Sequence, residues 1–283
     1  MSNVVKYSKS VTLAALLAFG AVNQAGAATI TYGGQAATDG NNLSVSAGLT
    51  SNFISSTNII SDVSLGYFVE TFDASTALDP SAGGNTSYNV GGTSSAGCQV
   101  NSPLAITPSS VGVVKVRNDS VDNVAAAPAN DNTCYAYTTP ANEGSNSDVE
   151  IDYTSFLSSL NNTALEDSYI NYLGFYWGSV DEYNSFEFYN GTTKVAEITG
   201  PQLLAQLGGS PGNQVADSSN VYVNIAFDAS EAFDSFKVIT SGIAGEFDNI
   251  VIGLDKRPVP APASLAFLGL GLLGLGLGRR FKK

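Results

Sequence analysis

Between residues 63 and 252 the chain is written in short runs of Val, Ile, Tyr and Phe, cut every few positions by clusters of Gly, Asn, Asp and Ser. That punctuation leaves little room for helix and predicts an all-β, antiparallel β-sandwich. Strands are expected over residues 63–72, 111–117, 134–138, 149–153, 172–177, 221–227, 236–240 and 247–252. In the run from Val221 to Phe227, Val221, Val223, Ile225 and Phe227 share one face, which is predicted to be core. The same alternation puts Phe175 and Trp177 on one face and Tyr176 on the other. Asn190-Gly191 is expected to form a two-residue hairpin turn with Tyr189 opposite Thr192, which would set Glu187 against Lys194. Short helices are predicted over residues 154–160 and 200–208, the second with Pro201 in its first turn and Gly208 at its end. Residues 73–110 read as a long Gly/Ser/Asn-rich excursion.

The two ends follow different rules. Lys6 and Lys9 precede an apolar run over residues 11–22 and the small residues Ala25-Gly26-Ala27, the order of a secretory signal peptide cleaved after Ala27. A membrane anchor is the alternative, but about twelve apolar residues fall short of the roughly 20 that span a bilayer. At the other end, residues 263–278 are apolar or small apart from Ser264, and Arg279, Arg280, Lys282 and Lys283 follow. As a helix this stretch extends about 24 Å, close to a hydrocarbon core. The terminal cations favour a cytoplasmic C-terminus, which leaves the body outside the inner membrane. Glycines at 269, 271, 274, 276 and 278 make the helix intrinsically weak.

Val259-Pro260-Ala261-Pro262, the Leu/Gly span and the Arg279-Arg280 cluster together resemble a PEP-CTERM sorting segment, with Ala261 where the pattern usually has Glu. An ordinary single-pass anchor is the other reading. The resemblance implies export through the Sec machinery, an inner-membrane-anchored precursor, processing by an exosortase, and an end point at the cell surface or in an exopolysaccharide matrix. Three regions follow: a signal peptide over 1–27, a β-sandwich over 28–257 and a sorting segment over 258–283. A second resemblance spans residues 172–253. The run Leu173 to Asn184, the Phe-Tyr-Asn-Gly hairpin and Glu246-Phe247-Asp248-Asn249-Ile250 are similar to the core of exosortase-dependent surface proteins. That likeness implies a jelly-roll-like sandwich of the kind found in carbohydrate-binding modules.

Charge and residue counts exclude several function classes. Residues 28–257 hold all 25 acids but only six cations, Lys115, Arg117, Lys194, Lys237, Lys256 and Arg257, a net charge of −19. Nucleic acid is therefore not an expected partner, because phosphate binding needs clustered Lys and Arg. The chain has no histidine, which rules out Ser-His-Asp and Cys-His catalysis and His-based metal sites. Gly208-Gly209-Ser210-Pro211-Gly212 follows a helix and reads as a loop, not a phosphate cradle. Carboxylate-pair hydrolysis needs only two spaced acids and stays open.

Cys98 and Cys134 both fall in the exported body, where a disulfide is expected; two buried free thiols are the alternative. Asp148, Glu150 and Asp152 alternate onto one strand face, which calls for a solvent-facing edge or a bound cation. Asp248 and Asn249 resemble positions that hold structural Ca²⁺ in some sandwich modules. Asp39-Gly40-Asn41-Asn42 is read as a turn. Trp177 is expected in the core, leaving Tyr176 and Tyr183 as candidate platforms for a sugar ring. No catalytic residue is assigned. The leading expectation is a non-enzymatic surface or matrix protein that binds glycan or serves structurally; the alternatives are a secreted carboxylate-based polysaccharide hydrolase and an ice- or mineral-binding surface protein.

Overall fold

The computed structural model describes residues 28–33, 53, 65–72, 105–108, 112–129, 134–140 and 146–257. The signal peptide, Asp39–Asn42, Cys98 and the whole sorting segment, including Val259, Pro260, Pro262, Arg279 and Arg280, lie outside the described residues. Among the described residues no helix is long and apolar enough to cross a membrane; the expected span falls in the segment not described.

Twelve strands and two short helices are described: β1 Thr29–Gly33, β2 Tyr67–Glu70, β3 Ala105–Pro108, β4 Gly112–Arg117, β5 Tyr135–Pro140, β6 Ser147–Asp152, α1 Thr154–Ser159, β7 Ser168–Gly178, β8 Asn184–Asn190, β9 Thr193–Thr199, α2 Gly200–Leu207, β10 Val221–Ala226, β11 Ser235–Thr240 and β12 Gly245–Lys256. They form two antiparallel sheets. One runs β1-β10-β7-β12-β5-β4 with β2 also paired to β12; the other runs β3-β6-β11-β8-β9. The sandwich expected from the sequence is present. β1 and β3 were not foreseen, the latter because it sits inside the stretch read as an excursion.

The sheets meet through aromatic rings. Phe175 and Trp177 of β7 face Phe186 of β8 at centroid distances of 4.2 and 4.8 Å, and Phe247 of β12 meets Phe186 edge-on at 6.0 Å. Trp177 is fully buried, and Val221, Val223, Ile225 and Phe227 join it in one continuous core. Stacking two twisted sheets about 10 Å apart requires side chains of this size.

The hairpin forms with a different register. Asn190 pairs with Thr193 and Tyr189 with Lys194, so Gly191 and Thr192 are the turn residues, and Gly191 takes φ +55°. A glycine at the first central position suits a Gly-X hairpin turn. A bulge then sets Glu187 opposite Glu197. The expected ion pair still forms, at 3.1 Å, but diagonally: Lys194 reaches both Glu187 and Glu197, the latter at 2.8 Å. One lysine thus offsets two like charges that would otherwise repel across the ladder.

Asp148, Glu150 and Asp152 also need correction. Their strand, β6, is interior, between β3 and β11. They point to the outer face of the smaller sheet, half-buried, where Lys237 approaches Asp148 at 3.3 Å and Asp152 accepts from the Thr154 amide at 2.6 Å. Neighbouring strands pair through the backbone, so an alternating acidic face can sit mid-sheet provided that face is solvated.

The outer face of the larger sheet is not a solvent face. Tyr67, Val69, Tyr172, Tyr176, Tyr222 and Val251 form a second buried cluster there, and Phe53 stacks on Tyr172 at 5.0 Å. Further along the same face, Ala125, Tyr135, Tyr137 and Ala244 form a third, with the loop of residues 118–129 folded over it. Both surfaces of β7 are therefore interior, so its strand reads as almost uninterrupted burial.

Candidate acidic cavity at the sandwich end

The loop over residues 118–129, the β7–β8 connection and the start of β12 converge on a cavity of about 490 Å³, to which Gly212 and Gln214 also contribute. Local chemistry fixes each wall. In the loop, Val121 and Ala125 exchange backbone hydrogen bonds at 2.9 and 3.2 Å, while Asp119 and Asn123 adopt φ near +60°, a region that Asp and Asn tolerate. Ser120 Oγ accepts from the Ala127 amide at 2.9 Å.

Asn220, fully buried, ties three walls together. Its Oδ1 accepts from the Ala129 and Ser179 amides at 3.1 and 2.8 Å, and its Nδ2 donates to the carbonyls of Asn213 and Ala216 at 2.7 and 3.0 Å. One side chain thus satisfies four backbone groups from the loop, the end of β7 and the segment before β10. The α2 helix packs behind Asp181. Thr199 and Gln202 form a reciprocal capping box, Gly208 ends the helix at φ +66°, and Gly200 lies against the Asp181 carbonyl so closely that any Cβ would collide with it.

Two carboxyls and a phenol define the chemistry. Glu246 is only 2 % exposed. Its Oε1 accepts from the Ala126 amide at 2.9 Å, whereas Oε2 has no hydrogen-bond partner. Burial, reinforced by the nearby Asp181 charge and against the pull of the Ala126 hydrogen bond, pushes the Glu246 carboxyl up to about 8. Burial also lifts Asp181, although the Tyr183 hydrogen bond draws it down. The Tyr183 hydroxyl sits 2.6 Å from Asp181 Oδ2 and 2.8 Å from the Ile243 carbonyl, with one proton between two acceptors. Burial and Asp181 hold that phenol well above its ordinary range. Its ring packs over Gly242, where a Cβ would lie 2.5 Å from the ring.

The residues singled out from the sequence are distributed unevenly. Tyr183 lines the cavity, with its hydroxyl engaged. Tyr176 does not: it is fully buried in the outer-face cluster and presents no ring face to solvent. The alternation that separated it from Trp177 holds, but both faces of that strand are covered. Asp248 and Asn249 are fully buried in a bulge of β12, where Asn249 takes φ +52°, its amide donates to Asp248 Oδ1 at 2.7 Å, and Tyr222 donates to its carbonyl at 2.9 Å. Among the described residues no group of three or more acidic or Cys side chains is placed to hold a metal. Cys134 is buried at the start of β5 and is not a free thiol; Cys98 lies outside the described residues. Glu246 and Asp181, the two acids that matter most in the cavity, were not distinguished from other acids in the sequence. No local signal marked Glu246: it and Asp248 share the face opposite Phe247.

No curated protein matches the chain. Among solved structures it is similar to the crystal structure of a Stig cyclase, Fisc, from Fischerella sp. TAU, in complex with (3Z)-3-(1-methyl-2-pyrrolidinylidene)-3H-indole. The likeness covers 70% of this chain and 88% of that one, at 12% identity and a TM-score of 0.31, too distant to bear on the chemistry here. The family model that matches is the PEP-CTERM protein-sorting motif, over residues 258–283. The prolines, the glycine-interrupted apolar span and the basic end are thus parts of one signal, and the chain carries a C-terminal PEP-CTERM motif, the mark of an exported, exosortase-sorted protein.

Proposed function

We propose that this chain is a non-enzymatic component of the cell surface or exopolysaccharide matrix, whose sandwich binds glycan in the cavity lined by Glu246, Asp181 and Tyr183. The sorting motif supports export and a membrane-anchored precursor; the cavity supplies the reason to prefer binding over a purely structural role. The observation that carries the reading is a concave site of ligand size with convergent polar groups, one of them a buried carboxyl oxygen without a partner. The jelly-roll-like likeness to surface-protein cores belongs to this reading, as does a Cys98–Cys134 disulfide. The test is a glycan array probed with the full chain and with Tyr183→Ala. Binding that the substitution weakens supports the reading; an array blank for the wild-type chain opposes it.

A second reading has one observation in its favour. A carboxyl that keeps its proton near neutral pH, beside a second acid, is the equipment of a general acid in glycoside hydrolysis. Release of reducing ends from a polysaccharide panel, abolished in Glu246→Gln, would establish the hydrolase; inactivity across that panel leaves the binding reading in place.

A further inference from the structure

We propose that the cavity selects a protonated primary amine carried on a hydroxylated ring, the chemistry of a sugar unit with a free amino group. This deepens the glycan-binding reading and rests on it. Three acids line the cavity, Asp122 at its rim and Asp181 and Glu246 within, and none of its lining residues among those described is Lys or Arg. An acidic cluster alone would be an ordinary solvated surface. Glu246 makes the difference: it is 98% removed from solvent, lines the cavity, and carries one carboxyl oxygen with no hydrogen-bond partner of good geometry among the described residues. Such an oxygen is unfavourable in the free protein, and a ligand that brings an N–H relieves it.

An ammonium group fits this requirement. It offers three donors, and its hydrogen bonds to carboxylates are charge-assisted. Ser120, Asn123, Ser179, Gln214 and Tyr183 supply neutral polar groups around the acids, suited to ring hydroxyls. A volume near 490 Å³ far exceeds that of a bare ion. A calcium ion would demand six to eight oxygens, whereas no cluster of three acids stands ready among the described residues.

Binding should move a proton. Glu246 keeps its proton because it is buried and lies near the Asp181 charge; Tyr183 from the β7–β8 connection and Asp122 from the loop line the same cavity. An entering ammonium favours the carboxylate, so the acid O–H bond of Glu246 breaks, its electron pair stays on the carboxylate, and the proton passes to solvent. The ligand keeps its own protons throughout.

The experiment is isothermal titration of the full chain in detergent at about pH 5.5, where the amino groups of the glucosamine probe are already protonated before binding, in two buffers of different ionisation enthalpy. The probes are a β-1,4-linked glucosamine trisaccharide, its N-acetylated counterpart, Nα-acetyl-lysine methylamide and CaCl₂. The glucosamine trisaccharide is expected to bind at least tenfold more tightly than the other three, with release of close to one proton. Glu246→Gln abolishes the proton release, and Asp181→Asn lowers affinity at least tenfold. Equal binding of the N-acetylated sugar overturns the charge selection but leaves the glycan reading standing. Equal binding of the lysine amide overturns the ring, and proton-coupled uptake of Ca²⁺ overturns the amine. If neither sugar binds, the glycan reading fails along with this one.

Discussion

Replacing Glu246 with Gln should change the pH dependence of stability more than its level at acid pH. The carboxyl stands near 8 in the folded protein, against an ordinary value of 4.5. The folded state therefore holds this proton more tightly than the unfolded chain does. Its contribution is fully present below about pH 4.5 and is lost as pH rises towards 8, where the buried group must ionise. A rise of that size corresponds to about 5 kcal/mol once the group is fully deprotonated, of which roughly 3 kcal/mol is already lost at pH 7. Gln keeps the acceptor for the Ala126 amide and carries no charge, so its stability should not fall over that interval. Urea unfolding of both proteins at pH 5, 7 and 8.5 should show the variant gaining on the wild type by up to about 4 kcal/mol from the first pH to the last. Curves that stay parallel to within about 0.5 kcal/mol would refute the assignment of a proton to Glu246 in the folded state.

Further outcomes follow from the same geometry. Asn220→Ala strips four backbone groups of their partner and should cost about 2–4 kcal/mol by chemical denaturation, with the 118–129 loop losing amide-exchange protection before the sheets do. Trp177→Ala leaves a cavity between the sheets and should cost about 3–5 kcal/mol in the same assay. Gly200→Ala forces a methyl group against the Asp181 carbonyl, so it should weaken ligand binding measured by titration even where circular dichroism shows an intact sandwich. If Cys98 and Cys134 pair, Cys134→Ser should lose about 4 kcal/mol under non-reducing conditions and nothing under reducing ones.

What could be read in the sequence is the period-2 signal and its punctuation. Val221 to Phe227 displays its core face directly because every second side chain is a large hydrophobe, and α2 is marked by Thr199, Pro201 and Gly208. The register of β8 and β9 differs because the turn falls one residue later, on Gly191-Thr192, and a bulge beyond it shifts the ladder again; Lys194 is long enough to satisfy Glu187 from either alignment. The platform role of Tyr176 failed for a different reason: alternation says which side of a sheet a residue occupies, not whether that side is covered. The cavity was the least legible feature. Glu246 and Asp181 stand 65 positions apart in the chain, and it is the folded loop that brings the Ala126 amide onto Glu246. Nothing local in the sequence distinguishes it from Asp248, which ends in a bulge instead.

The central claim is that the tail is a sorting signal and that the body reaches the exterior without it. Terminal mass spectrometry of the surface-recovered protein, from cells with and without their exosortase, tests this most directly. With the enzyme present, the account predicts an N-terminus at Ala28 and a C-terminus within residues 259–263; without it, a precursor that still ends at Lys283. Surface-recovered protein from exosortase-positive cells that retains Lys283 would contradict it.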